Sequence, residues 1–292
     1  MNIKNNKKDN EVYILGSEGG GSPKRKMSAA VWAVLLVLCL LIIGGGAFLY
    51  FSPREETTTD YYFEPEEITA QSISVTTTDT LKSNVEKGYI EVVQESINDV
   101  PLTLYIPHGA NMSLTVGMPD RNDTSLIFAA MAADIRRDNK QIVGDFVLSG
   151  QRLARGIAKK GFCAIEGNKI TIGVGESTPL LQQVLESGGS FFRQYPLVNN
   201  GELVENRPKN KSVRRALAVR NDRVMMVQSE NKESFHDFSQ ALIDIGVTDA
   251  IYLVGGDAYG WYYKDENTRQ DFGELKPDLP ENISYIVWKT TE

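Results

Sequence analysis

Residues 29–51 read AAVWAVLLVLCLLIIGGGAFLYF, a run of 23 residues without a charge. No surface helix or half-buried strand of a water-soluble domain needs such a stretch. As a helix rising about 1.5 Å per residue it reaches about 35 Å, enough to cross a hydrocarbon core of about 30 Å. Residues 1–28 before it are polar and basic, with Lys4, Lys7, Lys8, Lys24, Arg25 and Lys26 against Asp9, Glu11 and Glu18. A cleaved signal peptide, cut after Gly45, Gly46 and Ala47, is the alternative to a signal anchor. The long polar lead-in, and an apolar run that continues to Phe51, favour the anchor. Lys24-Arg25-Lys26 ahead of the span then places the N-terminus in the cytoplasm and the rest outside it. The expected layout is a basic tail (1–28), a membrane span (29–51), a Thr- and acid-rich stalk (52–88) and an extracytoplasmic, periplasmic domain (89–292).

The chain carries 31 basic and 38 acidic side chains, and removing the tail leaves 25 against 35, about −10. Nucleic acid is a poor partner for that surface, because phosphate contacts need a basic stripe. Outside the span only Cys163 remains, so the domain has no internal disulfide; export without disulfides suits a bacterial envelope. Neither histidine has ligand-spaced partners and there is no P-loop, so no metal and no cofactor are expected.

From residue 88 onward, strand and helix signals alternate with short spacers. VPLTLYIP (100–107) and the stretch around Ile73–Val75 alternate as strands do. QIVGDFVL (141–148) and AIYLV (250–254) read as strands; Gly167-Asn168 and Asn221-Asp222 read as hairpin turns. Thr124 is positioned to cap a helix over 125–137, Thr178-Pro179 to start one ending at Gly188, and Ser234 to start one ending at Gly246. The expectation is an α+β domain, a mixed β-sheet with packed helices.

Ser234, His236 and Asp237 do not make a triad, since neighbours one and two apart on a helix point to different faces. The arginines are more informative. Arg193 sits between Phe191-Phe192 and Tyr195-Pro196. Arg214 and Arg215 open a strand and alternate to opposite faces, and Arg152 and Arg155 flank Ala154. As a set they suit an anionic ligand such as a phosphate or carboxylate. The strand AIYLV runs into Gly255-Gly256 and then Asp257, an acid at a sharp turn at a sheet edge.

The order RRALAV (214–219), SFHDFSQALIDIG (234–246) and TDAIYLVGGDA (248–258), preceded by VGDFV (143–147) and FFRQYPLVNNGELV, resembles the phosphodiester glycosidase family. Its lysosomal uncovering enzyme removes N-acetylglucosamine from mannose-phosphate tags. It is also similar to an envelope-protein subgroup of that family in gut Bacteroidetes. In the family the corresponding segments read Arg-Thr-Ala-Ile-Gly, Ser-x-Gly, Asn-Leu-Asp-Gly-Gly-Gly-Ser and Asn-Gly-Gly-Phe-Phe. Arg214, Ser234, Gly255 and Gly256 keep the family residues. Val254 stands where the family has an acid and Val143 where it has asparagine, while Asp145 and Asp257 replace family glycines.

The resemblance implies a glycosidase acting on a sugar-1-phosphate diester or related glycan, with a glycan or sugar-phosphate as ligand. Asp257 and Asp145 would form the proton-handling pair, Arg214 and Arg193 would hold the anion, and Phe192 or Tyr259 would stack on the sugar. Equally open are a catalytically silent glycan- or peptidoglycan-binding module on the same fold and a structural envelope partner.

Overall fold

Closely spaced hairpin turns force neighbouring strands to run antiparallel, and they dominate this architecture. The computed structural model describes residues 74–79, 88–265 and 268–290, all within one unit, Thr57–Glu292. The expected span at 29–51 lies outside the described residues, as does the basic tail. Among the described residues no helix is long and apolar enough to cross a membrane.

Three sheets are present. The first has the order β1 (Ser74–Asp79), β9 (Lys169–Val174), β8 (Gly161–Glu166), β10 (Ser190–Gln194), β6 (Phe146–Leu148) and β7 (Gln151–Ala154). The second runs β12 (Glu202–Leu203), β11 (Pro196–Asn199), β15 (Val247–Leu253), β13 (Ser212–Arg220), β14 (Arg223–Glu233), β3 (Val100–His108) and β2 (Tyr89–Ile97). The third runs β17 (Arg269–Phe272), β16 (Gly260–Tyr263), β5 (Leu126–Met131), β18 (Ser284–Thr290) and β4 (Ala110–Val116). The largest core cluster draws on all three sheets, with Phe192 from the first, Leu217 and Ile251 from the second, and Phe128, Trp261 and Trp288 from the third.

Only two helices occur among the described residues. In α1 (Pro179–Ser187), Thr178 accepts a hydrogen bond from the Leu180 amide and Gly188 closes the end at φ 77°. Its one buried residue, Val184, packs with Phe162 and Phe191. In α2 (Phe235–Asp244), Ser234 caps by accepting from the Asp237 amide. Phe235, Phe238, Ala241 and Leu242 of α2 cover the second sheet against Leu104, Leu197 and Ala218. Both caps and both expected hairpins are present: Glu166 pairs with Lys169, and Arg220 with Arg223.

Three expectations are corrected. Every ladder between the named strands is antiparallel, so the protein is mostly β, and its sheets are antiparallel rather than mixed. The stretch 125–137 is no helix: Leu126–Met131 within it form strand β5, between β16 and β18, with all six residues buried. A segment covered on both faces loses the polar face that sets its period, so its alanines imitate a helix stripe. The strand expected over 141–148 is reduced to Phe146–Leu148, because Gly144 turns the backbone to φ 82°. Within 52–88, the part expected as a stalk, residues 74–79 form β1 and pair along β9.

Candidate functional site

The segments that resemble the family converge where strands of the second and third sheets end. The Val254 amide donates to the Met131 carbonyl at 3.3 Å, the Gly256 amide to Val213 at 2.7 Å, and the Val143 amide to Asp134 at 2.9 Å. Segments far apart in sequence, 131–145, 213–214 and 254–257, therefore meet in one place. The turn after β15 tolerates only glycine at its first position, since a Cβ on Gly255 would lie 2.2 Å from the Val213 carbonyl oxygen. Gly256 takes a left-handed conformation, φ 58°, that favours glycine. The Ala258 amide closes the turn onto the Gly255 carbonyl at 3.0 Å. That backbone bond leaves the Asp257 carboxylate out of the turn, and it pairs instead with Lys276. The Asp257 side chain is 34% exposed and sits at the lip of the strand.

Arg215, offered by the sequence only within the set of arginines suited to an anion, holds this turn from beneath. It donates through Nη1 to the carbonyls of Ala258 (2.6 Å) and Val254 (3.3 Å), and through Nε to Gln228 Oε1 (2.7 Å). Strand alternation sends Arg214 and Arg215 to opposite faces, as expected. The Arg214 guanidinium lies 4.0 Å from the Phe235 ring of α2, and that of Arg215 lies 4.7 Å from the Phe272 ring of β17. Both faces are covered, so both arginines are buried. Arg214 donates through Nε to the Glu233 carbonyl at 3.0 Å and through Nη2 to that of Asn210.

Asp145 does not stand next to Asp257 as a free partner. One of its oxygens accepts from Arg193 Nε at 3.1 Å; the other takes Arg152 Nη2 and, at 3.2 Å, the Gly156 amide. Arg193 also donates to the carbonyls of Lys159, Gly175 and Glu176, so four of its five N–H groups serve the protein. Burial pulls its pKa below the ordinary arginine value, opposed by the bond and charge of Asp145. Gly144 lies against this strut, and a Cβ there would meet Arg193 Cβ at 3.0 Å. Arg193 is therefore a brace rather than an open anion clamp.

The two aromatic candidates are closed as well. Phe192 is fully buried in the main core, where it has no face for a sugar. Tyr259 is 1% exposed and donates to Asp271 at 2.8 Å. Burial, then that bond, pushes its pKa up to about 12. The Ser234 hydroxyl is engaged at both ends, accepting from the Asp237 amide at 3.0 Å and donating to the Asp237 carboxylate at 2.8 Å. Val143 and Val254 fill the two substituted motif positions and are almost wholly buried.

A second group, which no spacing signal marks, lies just behind Val143. Lys159 Nζ bonds Asp134 and reaches Gln194 Oε1 at 2.8 Å, with the Tyr195 ring centroid 3.5 Å away. Asp134, Lys159 and Gln194 are all buried. Asp134 Oδ1 and Gln194 Nε2 have no hydrogen-bond partner. Tyr195, Phe235 and Tyr252 form an aromatic wall from this pair to Arg214, with centroids 5.1 and 4.9 Å apart. A buried amine, a carboxylate and an arginine around one aromatic wall make a polar, water-poor junction inside the protein. Among the described residues no cluster of three or more His, Cys, Asp or Glu is placed to hold a metal ion.

No curated protein matches the chain. Among solved structures, it is similar to the catalytic domain of zebrafish N-acetylglucosamine-1-phosphodiester alpha-N-acetylglucosaminidase, auto-inhibited by its pro-peptide. That match covers 75% of this chain and 89% of the other, at TM-score 0.53 and 12% identity, a likeness of fold. A hypothetical protein from Synechocystis aligns over 70% of this chain and 62% of its own, at TM-score 0.43 and 13% identity. The sequence profile of phosphodiester glycosidases matches residues 124–282, which include β5, the Val143–Asp145 segment, Arg214, Ser234 and the Gly255-Gly256 turn. The chain belongs to the phosphodiester glycosidase family.

Proposed function

We propose that this domain is a hydrolase of a glycosyl phosphodiester, a sugar-1-phosphate diester or a related envelope glycan, held at the membrane by residues 29–51. The observation that carries the reading is the half-exposed Asp257 at the lip of the strand end where the family segments meet, with Lys276 beside it. Asp257 would give a proton to the leaving phosphate oxygen as the bond to the anomeric carbon breaks; water would then supply the hydroxyl to that carbon and return its remaining proton to the Asp257 carboxylate. Arg214 supports the anionic group by its charge from behind the Phe235 ring. Asp145 takes a positioning part, because both its oxygens hold arginines in place.

One observation favours a second reading, a silent glycan-binding domain on the same fold. Val143 and Val254 pack tightly where the family has asparagine and an acid, and valine neither donates nor accepts a proton.

Full-length protein in a neutral detergent, incubated with a panel of chromogenic glycosyl phosphodiesters beside an Asp257→Asn control, separates the two. Release that is lost in the control supports hydrolysis at Asp257. Saturable binding of a glycan with no release would establish the silent module instead. The anchor is checked separately: membrane association that resists carbonate washing is expected to vanish when residues 29–51 are deleted.

A further inference from the structure

One cavity adjoins the strand-end junction through the 131–145 segment but is lined by a different set of side chains. It has a volume of about 680 Å³, and Arg136, Arg152 and Arg155 line it together with the amide side chains of Asn139, Gln141 and Asn282. None of Arg214, Ser234 or residues 254–257 contributes to its walls, and neither does any aspartate or glutamate. In a chain of formal net charge −7, three guanidiniums gathered around one acid-free space is a charge arrangement that calls for a counterion.

The donors are available. Arg136 and Arg155 are exposed, and among the described residues their guanidiniums have no protein partner. Arg152 gives one nitrogen to Asp145, while its Nε is buried without an acceptor. The supporting backbone is tied down on both sides. The Arg136 amide donates to Gln141 at 2.8 Å and the Arg136 carbonyl accepts from Lys140 at 3.0 Å. Gly156, next to Arg155, exchanges hydrogen bonds with Asp145: its carbonyl accepts from the Asp145 amide at 2.8 Å, and its amide donates to the carboxylate. Three arginines on braced backbone supply the forked donors that a tetrahedral oxyanion accepts several at a time. Beside them the amides match sugar or polyol hydroxyls, and exposed Leu153 offers an apolar patch to a ring face.

We propose that this cavity is a binding site for a phosphate monoester carried on a sugar or polyol, anchored by Arg136, Arg152 and Arg155. The site holds its ligand by charge and hydrogen bonding and does not depend on hydrolysis at the strand-end junction. It would keep a phosphorylated glycan at the domain surface whether or not a bond is cut elsewhere.

Calorimetric titration of the full-length protein in a neutral detergent at low salt tests this, with inorganic phosphate, glucose 6-phosphate and glucose as probes. Phosphate and glucose 6-phosphate should bind saturably with one site per chain, more weakly as salt is raised, and glucose should not bind there. Tighter binding of glucose 6-phosphate than of phosphate would assign the amides and Leu153 to the sugar. The double variant Arg136→Gln/Arg155→Gln should weaken both by about ten-fold or more at unchanged melting temperature, since neither side chain is buried or paired. If the double variant melts lower, Arg155→Gln alone serves, with a loss of about three-fold or more. Arg223→Gln, at a hairpin outside the cavity, should bind as the parent does. No saturable phosphate binding, parent-like affinity in the arginine variants, or equal binding of glucose would each overturn the proposal. Phosphate binding that survives in Asp257→Asn while glycoside release is lost would separate this site from the proposed hydrolysis.

Discussion

Asp145 and Asp257 carry the same side chain into opposite situations. Asp145 is buried between Arg193 and Arg152, whereas Asp257 shares a partly exposed pair with Lys276. Removing Asp145 strands a buried guanidinium, so Asp145→Ala should lower the unfolding free energy by about 3–5 kcal/mol, read by urea denaturation. Asp257→Asn should change it by less than about 1 kcal/mol in the same assay, because an exposed pair contributes little. Gly255→Ala forces a methyl against the Val213 carbonyl oxygen and should cost about 1–3 kcal/mol or more, with the turn displaced. The sequence named Asp257 as an acid at a sharp turn, and the structure agrees. It did not reveal that Arg193, Phe192 and Tyr259 are closed off, because burial follows from strands that are distant in the chain. Arg215 was legible only as the alternate neighbour of Arg214; its grip on the carbonyls of residues 254 and 258 depends on the pairing of β13 with β15.

Local chemistry was a better guide to elements whose ends are capped than to those whose middles are buried. Thr178, Gly188 and Ser234 bound the two helices from within a few residues, and Asn221 and Asp222 adopt the left-handed φ of 51° and 57° that a tight hairpin needs. Ser234→Ala should therefore cost about 1 kcal/mol of stability in chemical denaturation, a figure expected of a lost cap. A larger loss would show that the Ser234–Asp237 exchange supports more than α2 itself. The strand β5 was illegible for the opposite reason. LIFAAM has no exposed face, and the spacing of its alanines fits a helix as well as a strand until β16 and β18 are seen to flank it.

Across the whole molecule, burial raises the pKa of several phenols in the same direction. Tyr259 is held up at about 12 by burial and its bond to Asp271, and burial also raises Tyr105 and Tyr285. Each folded phenol keeps its proton beyond the unfolded value near 10, so this stability is intact below about pH 10 and is lost as pH rises through the folded pKa. The unfolding free energy should thus fall from about pH 10 to 12, and less steeply in Tyr259→Phe, measured by denaturation at fixed alkaline pH. Burial likewise raises the Cys163 thiol and keeps it protonated, so maleimide labelling at neutral pH should wait for unfolding. By itself the sequence determined the uncharged run at 29–51, the capped helices, the tight hairpins and the order of segments shared with phosphodiester glycosidases, because each is written in residues close together in the chain. Only the tertiary structure decided which charges face one another. Asp134, Lys159 and Gln194, and likewise Asp145, Arg152 and Arg193, are brought together by the fold over separations from 7 to 48 residues, and burial rather than spacing makes those contacts strong.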